Sequence, residues 1–214
     1  MDRSRSALLA ESIRTHEDCR MLMPVCDALT AATPRRERLL LTIDGPCGSG
    51  KSTLAGWLSK MLEAPVIHTD DFMIPMARKT PERLAIPGGN EDVERLVAEC
   101  LHPWQETGSC VCRPFDCHAD RYLPAQEIIQ APLLILEGSY SNLPSIRAFA
   151  NVRIFLSIDP TLQLQRLRLR VGDDRLPMFI SRWIPLENAY FDAYHLPDDD
   201  CITLPVRQLP DLTK

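Results

Sequence analysis

The segment Gly45-Pro46-Cys47-Gly48-Ser49-Gly50-Lys51-Ser52 constrains this chain more than any other. It satisfies G-x-x-x-x-G-K-[ST] at every fixed position and stands directly after an apolar run, Leu39–Ile43. Directly after it comes a stretch with Leu54, Trp57, Leu58, Met61 and Leu62 at helical spacing. Strand, loop and helix follow in the order the motif's physics requires. Glycines allow successive backbone N–H groups to point inward as an anion nest, and the helix start adds its positive dipole end. The expectation is a phosphate cradle made by Gly45, Cys47, Gly48, Ser49, Gly50, Lys51, Ser52 and Thr53. Lys51 would reach the terminal phosphates of ATP, and the Ser52 hydroxyl would ligate Mg²⁺. Cys47 fills a variable position, where the positive nest is expected to lower its thiol pKa.

Further apolar runs at Val66–His68, Leu133–Leu136 and Val152–Ile158 read as strands of a parallel sheet, with Cys201–Leu204 as a last strand. Helical segments fall at 90–101, 144–150, 161–171 and 176–194. This alternation predicts an α/β, three-layer P-loop NTPase fold with a mainly parallel sheet of about five strands. Residues 7–32 carry apolar positions at helical spacing, which Pro24 bends or divides, so 1–36 is expected to be an N-terminal helical extension and 37–214 the main domain. The prolines and glycine between 103 and 125 interrupt the rhythm and suggest an inserted subdomain or hairpin on the substrate side. Asp198, Asp199 and Asp200 read as a solvated acidic loop.

Composition narrows the function classes. A net charge of −5 provides no positive field for nucleic acid. Charges interrupt the first twenty residues, and no apolar run approaches the ~18 residues of a membrane span, so a cytoplasmic protein is expected. The eight cysteines are then expected to be reduced thiols. Cys110, Cys112, Cys117 and His118 lack the paired knuckles of structural zinc sites and are read as ordinary thiols and a surface histidine. Self-association is left open.

Phosphoryl transfer needs a metal shell, a proton acceptor and cations around the transferring group. His68-Thr69-Asp70-Asp71-Phe72 follows the second strand, at the sheet edge beside the cradle, and Asp70 is the candidate base with Asp71 its neighbour on the acceptor side. Glu137 ends the run Leu133–Leu136, where an acid would meet the magnesium directly or through water. Arg166 and Arg170 share one helix face, with Arg168 turned elsewhere, and can act as a lid on phosphate oxygens.

Taken in order, these motifs resemble the uridine kinase family of P-loop kinases, in particular its bacterial uridine-kinase-like branch. The resemblance runs from about residue 39 to 196. It rests on the Walker A loop, the Asp70-Asp71-Phe72 segment, Pro81-Glu82-Arg83-Leu84, Pro87-Gly88-Gly89-Asn90 and Arg113-Pro114-Phe115-Asp116-Cys117. Leu136-Glu137-Gly138-Ser139-Tyr140, the arginines 166 to 170 and Arg182-Trp183-Ile184-Pro185-Leu186-Glu187 continue it. The resemblance implies an ATP- and Mg²⁺-dependent kinase whose small-molecule acceptor is a nucleoside, uridine foremost; another small alcohol, pantothenate-like or a sugar, is the alternative, and a nucleotide-binding regulatory or assembly ATPase is the rival from another class. It implies that Asp70 is the base toward the 5′-hydroxyl, that Glu137 lies near magnesium and that Arg166 and Arg170 close over the phosphates. Phe115 and His118 match acceptor-binding positions. Two departures stand out: Ile86-Pro87-Gly88-Gly89-Asn90 replaces the Asp-x-Pro segment that holds ribose hydroxyls, and the base-stacking tyrosine is replaced near Arg113.

Overall fold

Unbroken apolar runs can form the middle of a sheet only if both faces are covered. The computed structural model of the chain, which describes residues 21–33 and 37–206, is built in this way. Five parallel strands lie in the order β2-β7-β1-β8-β9, where β1 is Leu39–Asp44, β2 Val66–His68, β7 Leu133–Glu137, β8 Ala150–Ser157 and β9 Cys201–Pro205. Alternate residues of each strand enter different cores, as the twofold pleat requires. Leu39, Leu41, Ile43, Leu133, Ile135, Ile154 and Leu156 join Leu54, Leu58 and Leu62 of the helix Lys51–Leu62. Leu40, Leu134, Leu136 and Phe155 turn the other way, toward Trp104, Tyr190 and Phe191.

Of the N-terminal extension, only 21–33 lies among the described residues; the helical spacing at 7–20 and residues 34–36 lie outside them. The helix Met23–Ala32 begins with Pro24 in its first turn, where a missing N–H costs nothing, and buries Val25, Cys26 and Leu29 on the first core.

The helix expected from Asn90 starts later, at Val93. Asn90 and Glu91 belong instead to a turn, because Asp92 N–H donates to Phe72 O at 2.5 Å and Glu91 bridges to Met73. The helix then continues through a π-helical stretch, Val97–Leu101, into His102–Thr107. Pro103 therefore does not end it: the wider turn before the proline absorbs its lost N–H. The same pairing recurs at Phe179–Trp183 and Pro185. After Thr107 the expected insertion appears as two small antiparallel ribbons, β3 (Cys110–Cys112) with β6 (Gln126–Ile128), and β4 (Phe115–Asp116) with β5 (Arg121–Tyr122).

Two expectations need correction. Cys100 and Cys112 are joined as a disulfide, since packing of the π-helical stretch on β3 brings their Cα atoms to 5.7 Å. Cys110 lies beside them, whereas Cys117 and His118 occupy the exposed turn after β4 and take no part. Nor is the acidic run 198–200 simply solvated, because Asp198 accepts from both guanidinium ends of Arg153, at 2.6 and 3.0 Å. Among the described residues, no helix is long and apolar enough to cross a membrane.

One buried polar network ties the two cores to the loop after β1. Asp44 Oδ2 accepts from Tyr190 OH at 2.7 Å and Asn142 N–H at 2.9 Å, and Oδ1 accepts from Gly45 N–H at 2.7 Å. Burial still pushes this carboxyl up to about 6, against the lowering by Tyr190 and Gly45. Removing the phenol hydroxyl leaves the buried acid short of one donor, while Asn142 N–H keeps its bond to Asp44 Oδ2. Tyr190→Phe is therefore expected to cost about 1–3 kcal/mol, read as a lower urea midpoint with an unchanged slope.

Candidate functional site

Parallel register decides where the sequence's acids meet. Glu137 pairs with Ile43 on one side and His68 on the other, so the C-terminal ends of β1, β7 and β2 stand in a row. β1 lies between β7 and β8, and the crevice outside the strand ends at such a switch point is where ligands bind in open α/β sheets. A cleft of about 670 Å³ opens there.

The loop after β1 supplies its floor. Gly45, Gly48 and Gly50 have φ of 137°, 78° and 98°, values that side chains resist. Lys51 starts the helix and donates its Nζ to Gly45 O at 2.8 Å and Pro46 O at 3.1 Å. Cys47, Gly48, Gly50, Lys51, Ser52 and Thr53 line the cleft, and Ser49 is fully buried behind them with no partner for its hydroxyl. First-turn N–H groups, a lysine and an unpaired hydroxyl together fit a polyphosphate. The Cys47 thiol goes opposite to expectation: burial, reinforced by Glu187, pushes it up to about 12.

Asp70 reaches the cleft from the 3₁₀ turn Thr69–Phe72 directly after β2. Desolvation raises its carboxyl above the ordinary value, opposed by Lys51 and aided by Glu137 and Glu187. Asp71 is half-buried and is not among the lining residues. Glu137 is 4% exposed, lines the cleft and accepts from His68 Nδ1 at 2.5 Å. That bond raises the His68 pKa, against desolvation. The turns after β2 and β7 are stitched by Thr69 Oγ1 donating to Ser139 O at 2.9 Å. Gly138 permits this, since a Cβ there would collide with the Thr69 hydroxyl. Ser52 and Glu137 are the residues that could hold Mg²⁺, an alcohol and a carboxylate suited to a hard cation.

Arg166 and Arg170 line the cleft from the helix Pro160–Met178, which breaks at Gly172, φ 77°. Arg166 Nη1 donates to Ser49 O at 3.4 Å, and Arg170 lies over the Phe179 ring. Arg168 faces away and pairs with Asp173 at 2.8 Å. Phe115 is buried against Tyr122, His118 is exposed on its turn, and neither lines the cleft; their neighbour Cys117 does.

Several lining residues were not assigned a role from sequence. Glu187, 5% exposed, accepts from Cys47 N–H at 2.9 Å and from Ser139 Oγ at 2.6 Å, binding the last helix to the phosphate loop. Gln163, buried behind the cleft rather than lining it, donates to Cys47 O at 2.9 Å from the arginine-bearing helix. Asn90, Glu91, Met73 and Tyr140 form another wall. The segment carrying Glu187 is visible in sequence, but its contact spans 140 residues and has no local signature.

A protein of Bacillus stearothermophilus described as a possible uridine kinase superposes with a TM-score of 0.57 at 22% identity, over 77% of this chain and 88% of its own. A candidate fructose transport system kinase from Silicibacter sp. TM1040 gives 0.69 at 24% identity, over 86% and 98%. A circularly permuted Saccharomyces cerevisiae protein described as a candidate P-loop kinase gives 0.65 at 12% identity, over 86% and 98%. The fold is that of the P-loop kinases. No protein-family model matches the sequence, and a comparison with curated proteins finds no match.

The cradle's tolerance is testable at two glycines. A Cβ on Gly45 would collide with Leu156 O, whereas one on Gly56 meets nothing within 4 Å. Titration with a fluorescent ATP analogue should show Gly45→Ala binding at least about tenfold more weakly, with Gly56→Ala unchanged.

Proposed function

We propose that this protein is an ATP- and Mg²⁺-dependent kinase that transfers the γ-phosphate to a small-molecule hydroxyl, foremost the 5′-hydroxyl of a nucleoside such as uridine. The observation that carries the reading is the convergence of Lys51, Ser52, Asp70, Glu137, Arg166 and Arg170, from separate segments, on one cleft. The relatives in fold are described as kinases, one of them as a possible uridine kinase, which supports it. A sugar hydroxyl is the second reading, favoured by the likeness to the candidate fructose transport system kinase.

Bound ATP with Mg²⁺ supplies the activated phosphoryl group; the chain supplies position and charge. The loop's N–H groups and Lys51 would hold the β- and γ-phosphates, and Ser52 and Glu137 would hold the metal. Asp70 accepts the proton of the attacking hydroxyl, and its raised pKa makes it a stronger base than an ordinary aspartate. Arg166 and Arg170 balance charge on the transferring group.

Acceptor-dependent ADP release tests the reading: Lys51→Ala should abolish it. Asp70→Asn should lower kcat by about 10²–10⁴ while sparing ATP binding. A base must be deprotonated, so kcat/KM should fall as pH drops through the Asp70 pKa, and this acid limb should lie above 3.8 and vanish in Asp70→Asn. ADP release that ignores every acceptor and follows a protein partner would point to a regulatory ATPase.

A further inference from the structure

Two buried polar residues in the cleft serve neither the core nor the phosphate cradle. Asn90 and Glu91 are 6% and 3% exposed, and both line the cleft that holds Asp70. Their backbone is fixed firmly. Ile74 N–H donates to Asn90 O at 3.0 Å, while Arg83 donates to Gly89 O and Glu91 O, each at 2.8 Å. Gly89 permits the approach, since a Cβ there would collide with Arg83 O.

The side chains are less satisfied than the backbone. Glu91 Oε1 accepts from Asn90 Nδ2 at 3.4 Å, but Oε2 is buried with no partner. An unpaired buried carboxyl oxygen costs about 1–3 kcal/mol, and such an atom calls for an explanation. Behind Glu91, toward Phe72, Leu96 and Leu143, remains a void of about 10 Å³, room for a single water at most. On its open side lies the cleft. Desolvation, with Asp70 and Asp92 adding to it, raises the carboxyl well above the usual range, with Lys79 and Arg95 opposing. In its neutral form the acid can both donate and accept.

The distribution of charge limits what can sit there. The cations lining the cleft are Lys51, Arg166 and Arg170, all from the phosphate loop or the helix beside it. Arg95 is engaged by Asp92 and Glu99. Lys79 and Arg182 line an adjoining groove. An acceptor carrying a carboxylate would set it beside Asp70 and Glu91, with Lys79 and Arg182 in the adjoining groove and no cation of this wall in the cleft itself, which is costly in a desolvated site.

The geometry points to Glu91, steadied by Asn90, as the subsite for a second hydroxyl of a neutral, polyhydroxylated acceptor, and as the element that rejects carboxylate-bearing alcohols. This rests on the kinase reading and narrows it. Asp70 faces the hydroxyl that is phosphorylated, and Glu91 Oε2 pairs with another hydroxyl of the same molecule, so correct binding removes the unpaired atom.

The test is coupled-assay ADP release with two probe sets: uridine, cytidine and D-fructose as neutral acceptors, and pantothenate, D-gluconate and shikimate as carboxylates. At least one neutral probe should be turned over with kcat/KM at least about a hundredfold above every carboxylate. Glu91→Leu should raise the KM for that probe about tenfold or more with the ATP KM unchanged, and Glu91→Gln, which keeps a donor and an acceptor, should recover most of the loss. The unchanged ATP KM also reports that each variant is folded. A carboxylate probe matching the neutral ones, or a Glu91→Leu acceptor KM equal to the parent's, overturns the subsite while leaving the kinase reading intact. The second of these results would assign Glu91 to a buried water. If none of the probes stimulates Lys51-dependent ADP release, the kinase reading itself fails, and the subsite with it.

Discussion

The buried carboxylate of Asp44 anchors the arrangement of the whole site. It closes β1, receives Gly45 N–H as the phosphate loop begins, and holds Asn142 N–H and Tyr190 OH from two other regions of the chain. A lone carboxylate at such depth would be strongly disfavoured. Three donors make it tolerable, and in return it fixes the loop's first glycine relative to the turn after β7 and the helix Ile184–Ala193. Glu187, one helical turn before Tyr190, then reaches Cys47 N–H and Ser139 Oγ. The loop is thus held at both its start and its crest by acids belonging to different elements.

What could be read in the sequence had local causes. Apolar runs produced β1, β2 and β7 nearly residue for residue, and the glycine pattern located the phosphate loop because φ near +100° at Gly50 is a demand only glycine meets cheaply. Asp70 and Glu137 were legible because a strand's end is a place, and parallel register then set those places side by side. The start of the helix after Asn90 was misread because helical spacing cannot see a backbone bond from Asp92 to Phe72. The pairing of Cys100 with Cys112 and the capture of Asp198 by Arg153 depend on elements that meet only after folding. Glu91 gave no signal, since a glutamate in a turn is unremarkable until its oxygen proves buried and unpaired.

Prolines illustrate the same limit from another direction. Pro103 and Pro185 each look like helix terminators, yet each follows a π-helical stretch and the helix continues. The second stretch includes Trp183, which lines the cleft, so the extra residue per turn also resets which side chains face the site.

The loop after β1 faces the cleft largely with glycine-shaped main chain, whereas the opposite wall presents the side chains of Asn90, Glu91 and Tyr140. A main-chain wall tolerates substitution wherever no special backbone angle is demanded, because every residue but proline carries the same N–H, and resists it at its glycines. Side-chain recognition is exposed to every point change. Mutation therefore explores the two sides of the cleft at unequal rates: the side-chain wall can change in single steps while the glycine loop stays fixed, and the architecture persists between chains that share only 12–24% of their residues.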